Sequence, residues 1–228
     1  MDDDRVIRLM IGFDQREAVA CHTFIQSVLD VTTLPVSITP LVLTALPGYK
    51  ESHADGSNTF IYSRFLTPYL AGFDGWAIFA DGDMICQTDL AELWALRSSE
   101  FAVMVVKHDY QTKATQKYLG NKNENYPRKN WSSLILWNCS HPKNRLLTPD
   151  FVMDKTGAFL HRFSWLADAE IGSLPREWNW LTTEYEDNSQ AHLLHFTLGT
   201  PCFKDYQSAP MAGTWYRAHE RSQQGMDA

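Results

Sequence analysis

The sequence is poor in cysteine, has no long apolar run and carries no excess of basic charge. Each shortage closes off a class of protein. Cys21, Cys86, Cys139 and Cys202 are the 4 cysteines among 228 residues, and none stands in a C-x-x-C pair. Neither a zinc knuckle nor a disulfide framework is indicated, and scattered reduced thiols fit a cytoplasmic setting. No segment approaches the ~20 apolar residues of a membrane-spanning helix. The opening MDDDRVIRLMIG has an acidic head and a short apolar run, not the basic region and long apolar core of a secretory signal. Asp and Glu number 27 against 20 Lys and Arg, a formal charge of -7. That balance disfavours nucleic acid and anionic membrane surfaces as partners.

What the chain does have is a 44% hydrophobic composition, enough to bury a large core. No repeat, low-complexity tract or linker divides it, so a single domain over residues 1–228 is expected. Residues 6–11 form a β-rich apolar run, broken by Gly12-Phe13-Asp14-Gln15. Ala18, Cys21, Phe24, Ile25, Val28 and Leu29 then repeat at helical spacing. Residues 36–43 are a second strand, which Pro40 assigns to an edge or a bend. Apolar spacing over 58–70 predicts a helix, with Ser57, Asn58 or Thr59 as its cap and Pro68 kinking or ending it.

A buried strand at 76–80 is followed by Asp89-Leu-Ala-Glu92, which reads as a capping box opening the next helix. Residues 101–106, 134–137 and 193–196 add strands, and Thr148-Pro149-Asp150 reads as an N-cap with proline at the first helical position. Strands alternating with helices predict an α/β fold, with a mostly parallel central sheet and helices on both faces. The polar stretch 111–130 reads as a binding loop or lid, with room for a short helix ending at Gly120. Residues 217–228 are mixed in charge and are expected to fray.

The chemistry concentrates in GWAIFADGDMI, where an apolar strand runs directly into Asp81-Gly82-Asp83. Paired carboxylates at the mouth of a buried strand repel unless a cation neutralises them or water reaches them freely. In an open α/β sheet ligands sit beyond the carboxyl ends of the strands. In an extended backbone both aspartates point the same way, and Gly82 has no Cβ to obstruct a ligand. Hard divalent cations take such oxygens, whereas Asp-Gly is also ordinary turn chemistry. Far along the chain, HLLHFTLGTPCF places His192 and His195 in an apolar strand that stops at a glycine. A histidine there is either a nitrogen ligand of the kind manganese accepts or a satisfied core residue.

Taken together, the chain resembles glycosyltransferase family 8, retaining enzymes of the GT-A fold related to glycogenin and to bacterial lipopolysaccharide galactosyl- and glucosyltransferases. The likeness runs in order through IGFDQREA, YSRFLTPYL, FADGDM with DLAELW, NWSSLILWN and HFTLG. It implies a single Rossmann-like GT-A domain that holds Mn2+ or Mg2+ through Asp81, Asp83 and His195. It further implies a nucleotide-sugar donor, foremost a UDP-sugar, and a saccharide or glycoconjugate acceptor, with retention at the anomeric centre. By the same resemblance Gly12, Asp14, Arg64 and Gly82 surround the donor, Asp14 meeting the base. Asn130 lies beside the transferred sugar. Arg64 and Asn130 read equally as an ion pair and a turn residue.

Two departures are visible. The family follows its histidine with H-x-x-G-x-x-K-P-W, whereas this chain reads HFTLGTPCFK and offers a displaced Lys204 for the diphosphate. The family's acidic D-Q motif near the sugar is matched loosely by Asp168 in WLADAEIG, the catalytic candidate. Trp178, Asn179 and Trp180 in PREWNWL are the acceptor-side candidates, although large aromatics more often serve burial. Rival readings are a metal-dependent nucleotidyltransferase or phosphohydrolase, and a non-catalytic sugar- or nucleotide-binding protein of the same fold. A homodimer is also open.

Overall fold

Period-two alternation along the strands gives one sheet two apolar faces, and each face is covered by helices. The computed structural model describes residues 5–53 and 58–224. In chain order its regular elements are β1 (Ile7–Gly12), α1 (Ala18–Val31), β2 (Val36–Leu41), α2 (Thr67–Leu70), β3 (Trp76–Ala80), β4 (Met84–Cys86) and α3 (Leu90–Ala95). There follow β5 (Val103–Val105), β6 (Leu134–Asn138), α4 (Pro149–Asp154), α5 (Gly157–His161), β7 (Ile171–Ser173), β8 (Trp180–Leu181), β9 (Leu193–His195) and α6 (Ala212–Gln223).

The central sheet has the order β2-β1-β3-β6-β5-β7. β1 pairs parallel with β2 and β3, and β5 parallel with β7, while β6 runs antiparallel to both of its neighbours. Met10, Phe79, Val105, Ile135 and Trp137 face Phe65, Val152 and Leu160, contributed by the 63–66 turn, α4 and α5. Leu9, Ile11, Ile78, Leu134 and Leu136 face Phe24 and Val28 of α1 and Leu90 and Leu93 of α3. Full burial of each such side chain is worth about 1.5–3 kcal/mol. A one-residue slip of any strand would exchange the faces, so the alternation fixes the register. Pro40 sits on the edge strand β2 opposite Ile11, where its missing N–H leaves no interior bond broken.

Several local expectations hold. Thr148 Oγ1 accepts from Phe151 N at 3.3 Å with Pro149 at the start of α4, and Asp89 accepts from Ala91 N at 2.9 Å at the start of α3. The 111–130 stretch contains a 3-10 turn at Tyr118–Gly120.

Others are corrected. Residues 58–70 do not form one helix: a 3-10 turn at Ser63–Leu66 leads into the short α2, and Pro68 lies in the first turn of α2. Its fixed φ and absent N–H suit a helix start, so Pro68 opens that helix instead of ending it. Of the cap candidates, Ser57 lies outside the described residues. The strand at 193–195 joins no part of the central sheet; it is the middle of a second, three-stranded sheet, β4-β9-β8. Residues 217–223 belong to α6, whose Trp215 and Ala218 are buried with Ile85, Leu194 and Phe196. That stripe, Ala212, Trp215 and Ala218, repeats at three-residue spacing in a helix otherwise polar. Residues 225–228 lie outside the described residues. No described helix is long and apolar enough to cross a membrane.

Candidate functional site

β3 ends at Ala80 and β4 starts at Met84, so Asp81-Gly82-Asp83 forms the corner at which the chain leaves one sheet for the other. The register of β9 against β4 sets His195 opposite Met84, and Phe196 N donates to Asp83 O at 3.1 Å. That pairing carries the imidazole to the aspartates across a long stretch of sequence. His195 Nε2 lies 3.3 Å from Asp83 Oδ1 and 3.8 Å from Asp81 Oδ2. One ligating atom from each of the three residues falls within 4.8 Å of the others. All are nearly sealed from solvent: Asp81 and Asp83 are 8% exposed and His195 2%.

The proton on His195 is placed by its neighbours. Asn179 Nδ2 donates to Ser133 Oγ at 2.9 Å and to the Asn130 carbonyl at 3.3 Å. A backbone carbonyl only accepts, so the other end of the amide, Asn179 Oδ1, faces His195 Nδ1 at 2.9 Å and takes its proton. In the neutral imidazole Nε2 is then a lone pair aimed at two carboxylates. With that tautomer the three groups converge as a donor set that a cation between them would satisfy.

Arg64 answers part of that charge. Its Nη1 sits 2.9 Å from Asp81 Oδ1, while its N–H groups donate to Ser132 O at 2.8 Å and Ile61 O at 3.1 Å. The contact to Asp81 is therefore an ion pair without an aligned hydrogen bond, and among the described residues Asp81 Oδ1 and Asp83 Oδ1 stay buried with no hydrogen-bond partner. The guanidinium lies over the rings of Phe60 and Phe79, 5.4 and 5.1 Å from their centroids. Burial pushes Asp81 up to about 6, with the charge of Arg64 opposing. Two carboxylates, one guanidinium and an imidazole lone pair leave the corner electron-rich. Its donor set, oxygens plus one nitrogen, fits manganese or magnesium.

Both glycines at this corner are required by close approach, Gly82 to backbone and Gly12 to an aromatic ring. A Cβ on Gly82 would stand 2.4 Å from the Gly12 carbonyl oxygen, and one on Gly12 would stand 2.4 Å from the Phe60 ring. The space expected beside Gly82 for a ligand is thus occupied by the end of β1.

No family model matches the chain. Among curated proteins, Protein CDI of Arabidopsis thaliana is 40% identical over 227 residues, covering 96% of this chain and 88% of that protein. The chain belongs to the Protein CDI family. Among solved structures, the WbbM bifunctional glycosyltransferase in its apo form superposes with a TM-score of 0.65 at 14% identity, over 96% of this chain and 50% of that one. This CDI-family chain therefore spans half the length of WbbM. The galactosyltransferase LgtC, solved with donor and acceptor sugar analogs, gives 0.62 at 12% identity over 97% of this chain and 98% of LgtC. The glycosyltransferase GlyE of Streptococcus pneumoniae TIGR4 gives 0.62 at 11% identity, over 96% of this chain and 61% of that one. At such identities the likeness establishes the fold: this is a GT-A architecture.

The remaining predicted residues are placed unevenly in the CDI-family chain. Asp14 is 2% exposed, and its oxygens accept from Arg16 N, Nε and Nη2 at 2.6–3.2 Å and from Thr59 N at 3.1 Å. Burial pulls its pKa up, but the bonds from Arg16 and Thr59 hold the carboxyl below its ordinary value. It caps the turn after β1 and tethers residue 59. Asn130 takes a left-handed φ of 60° and donates from Nδ2 to Tyr110 Oη at 2.8 Å, while its carbonyl joins the Asn179 network. The Asp168 side chain is 89% exposed and pairs with Arg128 at 2.5 Å. Lys204 is exposed on a 3-10 turn. Neither residue is among those gathered at the aspartate corner.

Trp178 and Trp180 are 2% and 8% exposed and pack into two different cores, so they form no sugar platform. His192 packs on Trp178 and meets Thr88 Oγ1 at 2.9 Å, as a core histidine does.

Sequence reasoning read Asn179 as an acceptor-side residue, whereas it fixes the imidazole, and it passed over Lys117 and Glu17. Lys117, from the 111–130 loop, has its pKa lowered by burial and raised by Asp83 and Asp81, which places its charge toward the corner. Glu17 is 5% exposed and accepts from Tyr118 Oη at 2.8 Å. Burial and then the charge of Asp83 push it up to about 8. Tyr118 also donates from its backbone N to Leu198 O at 2.7 Å and stacks on Phe203 at 4.9 Å. The loop is thereby strapped beside the corner and carries Lys117 toward the two aspartates.

Proposed function

We propose that this CDI-family protein is a metal-dependent glycosyltransferase of the family 8 type. It transfers a hexose from a nucleotide sugar, a UDP-sugar, to a hydroxyl of a saccharide or glycoconjugate with retention. The observation that carries the reading is the convergence of Asp81, Asp83 and the His195 Nε2 lone pair, with carboxylate oxygens lacking partners, at the strand-end corner of a GT-A sheet. A Mn2+ or Mg2+ ion bound there supplies Lewis-acid stabilisation and a template for the departing nucleoside diphosphate.

The chain's own groups do the rest. Asp81, Asp83 and His195 would hold the ion, Asn179 takes the Nδ1 proton and so turns Nε2 toward it, and Arg64 orients Asp81. Lys117 sets positive charge where the leaving diphosphate gains negative charge. Gly12, Asp14 and Gly82 shape the floor under the donor. Asn130, with Tyr110, stands on the sugar side, and Asp168 and Lys204 are assigned to the outer rim of the same single domain. The strapped 111–130 loop acts as wall and lid, excluding water from the anomeric carbon.

Calorimetry of UDP with and without Mn2+, together with nucleoside diphosphate release from several nucleotide sugars, tests the reading. Metal-dependent UDP binding that falls at least about tenfold in Asp83→Asn is the expected result. UDP binding that is indifferent to metal, or absent, overturns it.

A further inference from the structure

The cleft between the 117–129 loop and α5 has a volume of about 660 Å³, the size that encloses a mono- or disaccharide. Its charge is opposite to that of the molecule. In a chain of formal charge -7, Lys117, Lys122, Lys129 and Arg162 line this space against the single acid Glu124. Among the described residues none of these four cations forms an ion pair with a carboxylate. The neighbouring Glu184 accepts from Thr112 Oγ1 at 2.8 Å and Lys113 N at 3.1 Å; Lys117 and Lys129 feel its charge, but neither forms a direct ion pair with it.

Lys129 is the sharpest case. It is 6% exposed, and its Nζ donates to Asn123 Oδ1 at 2.6 Å and to the Glu124 carbonyl, both neutral. A buried ammonium with only neutral partners is costly unless an anion completes it. Its pKa is pushed down to about 8, first by burial and then by the like charge of Lys117, with the more distant charges of Glu184 and Glu124 opposing.

We infer that this cleft seats the acceptor through an anionic substituent, a phosphate or carboxylate carried on a sugar, held by Lys122, Lys129 and Arg162. This rests on the transferase reading and adds the substrate class. Lys117 lies at the junction: it lines the cleft and feels Asp83 and Asp81, so an acceptor anchored here presents its hydroxyl toward the donor site. The donor's diphosphate is met by the metal corner and Lys117, which leaves the other three cations for a second anion. Exposed Tyr126 at the mouth offers a ring face to the sugar.

The test uses the full-length protein stripped of metal, titrated calorimetrically with glucose 6-phosphate, glucuronate and glucose. At least one of the two anionic sugars binds about tenfold or more tightly than glucose, and their ranking separates a phosphate from a carboxylate. A Lys122→Gln/Arg162→Gln double variant, at two exposed positions, removes that preference while Mn2+-dependent UDP affinity stays within about twofold. Equal binding of glucose and both anions overturns the proposal. So does a double variant that loses UDP affinity in proportion, since the cleft would then belong to the donor. Failure of the wild type to bind UDP with retained anion preference sinks the transferase reading and leaves the anion site standing.

Discussion

Asn179 Oδ1 accepts the Nδ1 proton of His195 at 2.9 Å, and the opposite end of the same amide is locked by Ser133 and the Asn130 carbonyl. A single buried amide thus decides which imidazole nitrogen meets the carboxylates. Asn179→Ala removes the lock and frees the ring to rotate or change tautomer. Mn2+ affinity measured by calorimetry is expected to fall about 10–100-fold, with secondary structure by circular dichroism unchanged. An unaltered affinity would show that the imidazole is held some other way.

Glu17 gives the metal-free protein a pH dependence. Its carboxyl is raised from 4.5 to about 8, by burial first and by Asp83 second. A raised folded-state pKa contributes stability that is complete below the unfolded value and is lost as pH climbs through the folded one. The Tm of the metal-free protein therefore drops from pH 6 to pH 9. Glu17→Gln keeps an acceptor for Tyr118 and flattens that part of the profile in a thermal melt.

Gly82→Ala places a methyl 2.4 Å from a backbone oxygen, which cannot rotate away as a side chain would. Overpacking of this kind costs about 1–3 kcal/mol. Urea unfolding of the variant should show the midpoint falling accordingly with the slope retained. A neutral outcome would mean that the corner between β3 and β4 relaxes freely.

Asp168 pairs with Arg128 on an open surface, its side chain 89% exposed. Asp168→Asn is expected to change stability by less than about 1 kcal/mol and to leave UDP binding intact. A steady-state assay then decides its part in the reaction. A loss of turnover confined to kcat would put this carboxylate at the acceptor rim, and near-normal turnover would remove it from the chemistry.

Much of the fold was legible because burial imposes local periods. The unbroken apolar run at Leu9, Met10 and Ile11 and the helical spacing of Phe24 and Val28 report faces that are in fact buried. Strand direction left no such mark: β6 reads as a buried run whether parallel or antiparallel, and it proved antiparallel. The helix expected at 58–70 failed because apolar residues there serve a turn that positions Arg64, and aromatic burial at Phe60 and Phe65 looks the same in either conformation.

By itself the sequence determined the alternation of strands and helices and the acidic corner at the end of β3, since each is written in neighbouring residues; the histidine beside it came from the family resemblance and from the fold. Tertiary structure alone decided that Asn179 orients that histidine, that Gly82 must be a glycine because the Gly12 carbonyl lies against it, and that Lys117 turns its charge toward the corner. Those outcomes depend on contacts between segments far apart in the chain, set by the β4–β9 register and by the docking of Tyr118. Local periodicity carries no record of them.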